Sequence, residues 1–196
     1  MHEDFITFFL LLENGILRRQ IIALIPNQYF EVFIAAMFKI EKLLSNYLIG
    51  LLFQMASIFS IASLGLSILG VKYALTIAVF AAVANLIPYL GPMLGASFGI
   101  VVGISTSGDI SLSQDLLIVV VKILSVFGIV QAADNILLQP LIFSKSVKAH
   151  PLEIFVIIFA GATIAGIPGM IAAIPTYTIL RVSTIEVYAG FKGYQI

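Results

Sequence analysis

The sequence has 196 residues, 61% of them hydrophobic and 10% charged, with ten basic and ten acidic side chains and a mean hydropathy of +1.13. Soluble domains carry about 25% charged residues, and a fold of this size leaves much of its surface in water, so the composition excludes a water-soluble globule and predicts an integral membrane protein. Zero net charge without a basic cluster excludes nucleic acid as a partner, and the lack of cysteine excludes disulfides, iron–sulfur clusters and thiolate zinc sites. His2 and His150 supply the only imidazoles, so neither a metal nor a cofactor is expected.

The chain opens MHEDFITFFLLLENG. Its apolar stretch, 5–12, follows two acids rather than the basic residues of a signal peptide, and falls far short of the ~20 residues a span needs. Residues 1–12 therefore read as the end of a helix whose beginning is missing. From 13 to 45 the pattern is amphipathic. Asn27 follows the breaker Pro26 as a helix cap, and Phe30, Phe33, Ile34, Met37, Leu44 and Tyr47 recur near helical spacing between Glu31, Lys39, Glu41 and Lys42. This region is expected to be helical and outside the bilayer, either packed on the rest of the protein or lying on the membrane surface.

Residues 46–190 read as a transmembrane domain, followed by a short tail, 191–196. Helices are expected at about 46–71, 73–87, 93–107, 116–139, 152–165 and 170–188. The predicted fold class is all-α: a polytopic helical membrane protein whose short helices join through Gly/Pro breaks. One break, NLIPYLGP at 85–92, lies inside a run from 73 to 108 without Asp, Glu, Lys, Arg or His; the other is GIPG at 166–169. A polar loop at 109–115 and a basic loop at 144–151 separate the later helices. Alternating spans put Arg18, Arg19, Lys39, Lys42, Lys145, Lys148, Arg181 and Lys192 on one side, as the positive-inside rule asks, and leave Lys72 as the exception.

Gly91, Gly95, Gly99 and Gly103 recur every four residues and form one stripe of a helix. Such a stripe admits a neighbouring backbone, which serves ordinary packing, a gating contact or a subunit interface. GASFG, 95–99, matches G-x-S-x-G, but a nucleophile elbow needs a strand before the serine, and Ser97 falls within the glycine-striped helix. QAADNILLQP spaces Gln131, Asn135 and Gln139 by four, on one face bordered by Asp134. Polar groups in a span face the protein interior or a water-filled cavity, so these four are candidates for a permeation path, with Asp134 as a proton or cation site; the plainer alternative is a helix end already in the interface. Lys122 reads as an interfacial snorkeler and His150 as an ordinary loop residue. The two breaks resemble each other, PMLGA against GMIAA. Paired Gly/Pro-interrupted segments mark transporter sites where freed backbone lines a cavity, which adds Asn85, Pro88, Gly91, Pro92, Gly166, Gly169 and Pro175 to the candidate path.

The order FFLLLENG…RRQIIALIP, NLIPYLGPMLGA, DNILLQPLI and HPLEIFVIIFAGATIAGIPGMIAAIP resembles the autoinducer-2 exporter family of bacterial membrane proteins over nearly the whole chain. The matching positions are Asn85, Pro88, Tyr89, Gly91, Pro92 and Gly95, then Asn135 and Pro140, then His150, Pro151, Gly161, Gly166, Gly169 and Pro175. The resemblance implies a multi-pass permease of the bacterial inner membrane, in a family linked to autoinducer-2 export and, in some members, to sodium or lithium/proton exchange. It further implies that this sequence is a C-terminal part, and it assigns no residue-level mechanism. The expected function is export or exchange of a small polar solute or ion, with the lipid bilayer and a monovalent cation or proton as partners and a homo-oligomer as the assembly. Two alternatives stand beside it: a non-transporting assembly or regulatory subunit, and an intramembrane serine hydrolase using Ser97 and His150.

Overall fold

The computed structural model describes residues 30–87, 91–106, 114–146 and 150–193. Readings that fall on 1–29, on Pro88 and Tyr89, and on 107–113, 147–149 and 194–196 lie outside the described residues. All the regular elements among the described residues are helical. Helix α1 runs unbroken from Phe30 to Ile68, 39 residues. At about 1.5 Å per residue that is roughly 58 Å, well beyond a ~30 Å hydrocarbon core. Its charges, Glu31, Lys39, Glu41 and Lys42, all lie at its start, so the remainder is the part suited to lipid. It stops at Gly70, whose φ of +70° closes a left-handed cap: Val71 N–H reaches the Leu66 carbonyl at 2.9 Å and Gly70 N–H the Ser67 carbonyl at 3.0 Å.

Helices α2, Ala74–Ala84, and α3, Gly91–Thr106, form a tight antiparallel hairpin. The glycine stripe sets its register. A Cβ on Gly95 would sit 2.8 Å from the Ala81 Cβ, and one on Gly99 3.1 Å from Ile77. On its other side α3 meets helix α4, Gln114–Ala133: the same Cβ atoms would meet Phe127 and Ile123, and one on Gly103 would come 2.7 Å from Ile123. The four glycines are buried and leave α3 thin enough to sit between two neighbours. Helix α4 passes through a π-helical turn, Asp134–Leu138, into α5, Gln139–Ser146. Together they run antiparallel to α1, with Gly65 against Val126 and Gly50 against Ile142.

Helix α6, Pro151–Gly193, folds back on itself at Ala165 (φ −140°, ψ 20°) and Gly166 (φ 60°, ψ −137°). The second conformation belongs to glycine, since a Cβ there meets the backbone. The limbs then lie antiparallel: Tyr177 donates its hydroxyl hydrogen to Glu153 at 2.8 Å, and a Cβ on Gly161 would fall 2.3 Å from the Gly169 carbonyl oxygen. Pro168 stands in the first turn of the second limb, where its missing N–H is not needed.

Two compact units emerge. One comprises 30–41 with 179–193, where Lys39 pairs with Glu186; the other is Lys42–Thr178. Within the second, Ile58, Leu66, Ile77, Ile123 and Phe127 form one core, while Tyr47, Leu51, Ile87, Ile142, Ile154 and Ile174 form another. The outer surface is apolar: Leu52, Leu75, Val101, Ile129 and Phe159 are exposed, whereas Gln54, Asn85 and Asp134 are buried. That inversion of the soluble pattern is what lipid as solvent selects. Three stretches are long and apolar enough to cross a membrane, Phe30–Ile68, Leu116–Ile142 and Leu152–Glu186, the last of them folded at its glycine turn. Helices α2 and α3 have 11 and 16 residues. Their lengths, about 16 and 24 Å, are less than a bilayer core.

Candidate polar site at the π-helical turn

Asp134 is completely buried, at 0% exposure. Gln54 of α1 donates an amide hydrogen to its Oδ1 at 2.5 Å, and Gln139 of α5 donates to its Oδ2 at 2.7 Å. The same Gln139 amide lies 3.3 Å from Asn135 Oδ1. The π turn is what brings these groups together. In an α-helix, side chains five residues apart point about 140° away from each other, at 100° per residue. Here the Gln139 backbone N–H closes on the Asp134 carbonyl, the widened turn that stacks residues five apart, so Asp134 and Gln139 share the buried face. Gln131 is half-buried and Asn135 faces outward. The inward polar face therefore consists of Asp134, Gln139 and Gln54. The composition-based reading did not single out Gln54, although it is the one glutamine in the uncharged stretch from 43 to 71.

Each carboxylate oxygen thus has one neutral donor, and no described Lys, Arg or His pairs with it. A carboxylate held by amides alone, away from water, has unmet affinity for positive charge. Chemically the cluster suits a proton or a small monovalent cation, which prefers oxygen donors.

Asn85 occupies the end of α2 and is 2% exposed, yet neither its Oδ1 nor its Nδ2 has a hydrogen-bond partner among the described residues. Gly91 packs directly on it: a Cβ there would stand 2.3 Å from the Asn85 Cα and 2.5 Å from its Oδ1. Pro92, next to Gly91, is also buried. In the second hairpin Gly166 forms the turn and is exposed, while Gly169 and Pro175 lie half-buried in the returning limb. Pro88 lies outside the described residues. Ser97 is exposed within α3 and has helix, not strand, before it. His150 precedes α6, and its Nδ1 accepts the Leu152 N–H at 3.3 Å, an ordinary helix-start contact. Lys122 reaches the Leu69 carbonyl at 2.8 Å, at the end of α1.

Two helical hairpins broken by Gly and Pro, beside a buried carboxylate–amide cluster in a polytopic helical membrane protein, are features met in membrane transport proteins. Comparison makes the assignment specific: residues 5–189 match the family described as AI-2E family transporter, and the chain belongs to that family. It is 30% identical over 188 residues to the Bacillus subtilis (strain 168) protein named "Putative transport protein YueF", covering 96% of this chain and 48% of that one. It is 28% identical over 182 residues to YrrI of the same organism, likewise named a putative transport protein, covering 93% and 49%. A Mycobacterium tuberculosis (strain CDC 1551 / Oshkosh) protein with the same type of name, MT0215, is 29% identical over 129 residues, 64% of this chain and 32% of its own. The chain spans about half the length of the first two of these relatives. No solved structure matches it.

Proposed function

We propose that this chain acts in a multi-pass permease of the bacterial inner membrane, exporting or exchanging a small polar solute or ion. The observation that carries this reading is Asp134, fully buried in an apolar helix bundle and, among the described residues, bonded only to Gln54 and Gln139. A buried carboxylate that only held the fold together would be expected to have a cationic partner, and here amides fill that place. In this reading Asp134 takes up and releases the coupling proton or cation. Gln54, Gln139, Gln131 and Asn135 form the polar side of the route, and Asn85, with the backbone freed at the two breaks, lines its approach. Neither hairpin crosses the bilayer; the limbs of α2, α3 and the first part of α6 enter and return. Autoinducer-2 or a chemically similar small polar molecule is the family-based candidate for the solute, and a homo-oligomer the candidate assembly.

The test is flux in proteoliposomes carrying the full-length protein. Asp134→Asn keeps the size and the capacity to hydrogen-bond but removes the titratable charge. The expected result is normal membrane insertion with coupled flux reduced at least about tenfold, the effect of losing one charge-assisted interaction. Flux equal to that of the unaltered protein would remove Asp134 from the mechanism.

A further inference from the structure

At the end of α1 a second feature stands apart from the Asp134 cluster. A cavity of about 100 Å³ is lined by Gly70, Val71, Lys72, Thr106 and Lys122, with Gly103 and Val119 completing the wall. That volume exceeds the ~10–15 Å³ that one water needs and leaves room for a small tetrahedral ion. Both lysines close helix ends. Lys122 Nζ donates to the Leu69 carbonyl at 2.8 Å, and Lys72 Nζ donates to the Thr106 carbonyl at 3.0 Å. Each ammonium has three hydrogens and places one on a carbonyl, so two ammonium groups with donors to spare share one small cavity. No described carboxylate pairs with either of them. Thr106 directs its hydroxyl hydrogen to the Val102 carbonyl at 2.7 Å. The polar side of the cavity is therefore doubly cationic. Its apolar side is supplied by Val71 and Val119.

Helix capping explains why each lysine reaches a carbonyl. Each carbonyl end offsets part of one ammonium charge, but it takes up only one of the three ammonium hydrogens, and the hydrogens left over on both lysines border the same cavity. Lys72 is also the cation that broke the positive-inside pattern of the sequence, so topology does not account for it. We propose that the cavity formed by Lys72, Lys122 and the ends of α1 and α3 binds a phosphate oxyanion. The phosphate belongs either to a phospholipid headgroup or to a soluble phosphorylated molecule. Basic pockets between membrane helices take lipid headgroups in this way, and charge-assisted bonds from two ammonium groups hold the oxygens. The site is separate from the transport reading and does not depend on it.

The test measures thermal unfolding of the full-length protein in uncharged detergent. Additions are phosphatidylglycerol, phosphatidylcholine, inorganic phosphate at constant ionic strength, or glycerol 3-phosphate. Binding raises the unfolding temperature in a saturable way. A response to phosphatidylglycerol but not to phosphatidylcholine or the soluble phosphates identifies a headgroup site, and a response to the soluble phosphates identifies a solute site. In either case Lys72→Gln is expected to weaken apparent affinity about tenfold, and Lys72→Gln with Lys122→Gln to abolish it, while Lys72→Arg retains it. Lys72 is exposed, so its single variant carries the test if the double variant does not fold. No saturable response to any of the phosphates, or an equal response in Lys72→Gln, overturns the proposal.

Discussion

Gln54 and Gln139 hold opposite oxygens of Asp134, and the geometry makes the two bonds unequal in origin. Gln139 lies five residues from Asp134 on the same helical rod, whereas Gln54 comes from α1, 80 positions away in sequence. Replacing Gln54 by Leu puts an apolar side chain of similar size in its place and leaves one buried carboxylate oxygen without its donor, at a cost of about 1–3 kcal/mol. Thermal unfolding of the full-length Gln54→Leu variant should show that loss; unchanged stability would mean the bond contributes nothing to the fold. A second comparison concerns backbone contact. Gly91→Ala places a methyl 2.3 Å from the Asn85 Cα, whereas Gly128→Ala meets nothing within 4 Å. Overpacking against backbone costs about 1–3 kcal/mol, while alanine in an open helical position gains up to about 1 kcal/mol. The two variants should therefore shift unfolding in opposite directions; shifts of one sign would show that the α2–α3 contact is looser than the register implies. Sequence spacing alone pointed to Gln131, Asn135 and Gln139, with Asp134 beside them. It placed Asp134 at the edge of that face and Asn135 on it, because a period of 3.6 is the only one it assumes, and the π turn exchanges their positions. Gln54 was silent for a different reason: an isolated amide in an apolar run acquires meaning only from what lies across the interface.

Among the elements, the α6 hairpin depends on one dihedral pair. Gly166 adopts φ 60°, ψ −137°, a region where any side chain clashes with its own backbone. Gly166→Ala should cost about 1–3 kcal/mol, against no penalty from contacts, since nothing lies within 4 Å of a Cβ at that position. Proteolytic resistance and thermal unfolding of the variant provide the measure, and stability equal to the unaltered protein would show that the turn relaxes to an ordinary helix. Glycine and proline at 166–169 mark a break, and the break is where the chain reverses. The same letters do not say that the reversal is tight enough for Gly161 and Gly169 to touch, which follows only from both limbs lacking a Cβ at one level. Helix α1 illustrates the converse. Its charge boundary near Lys42 is plain in the sequence, but charge changes the solvent a helix prefers, not its hydrogen-bond ladder, and the helix continues through it from Phe30 to Ile68.

Across the Lys42–Thr178 unit α1 runs antiparallel to α4 and α5, and in the proposed topology each passes once between the two faces of the bilayer. The hairpins do not alter the face on which the chain continues, because a hairpin that crosses twice and one that enters and returns both deliver the chain to the face it left. Only the tips differ. If the first limb of α6 crossed, its turn would emerge into water on the face that carries Tyr73. Yet Ile164 and Ile167, beside the turn, are 84% and 62% exposed and carry no charge between them. Two isoleucines held in water lose roughly the 1.5–3 kcal/mol each that burial is worth, so an aqueous position for this tip is unfavourable. The absence of cysteine makes the question directly measurable, since every introduced thiol is the only one in this segment. In a cysteine-free full-length protein, Tyr73→Cys should react with a membrane-impermeant maleimide from one side of the membrane. Ile167→Cys should react from neither side in folded protein, yet should react fully once the protein is denatured in detergent. If Ile167→Cys is labelled from the Tyr73 side at a similar rate, the second hairpin crosses the bilayer and its broken backbone cannot line a route at membrane depth. Protection from both sides places that backbone where irregular peptide groups survive only against protein or along a wet path, as a transport role for the two breaks requires.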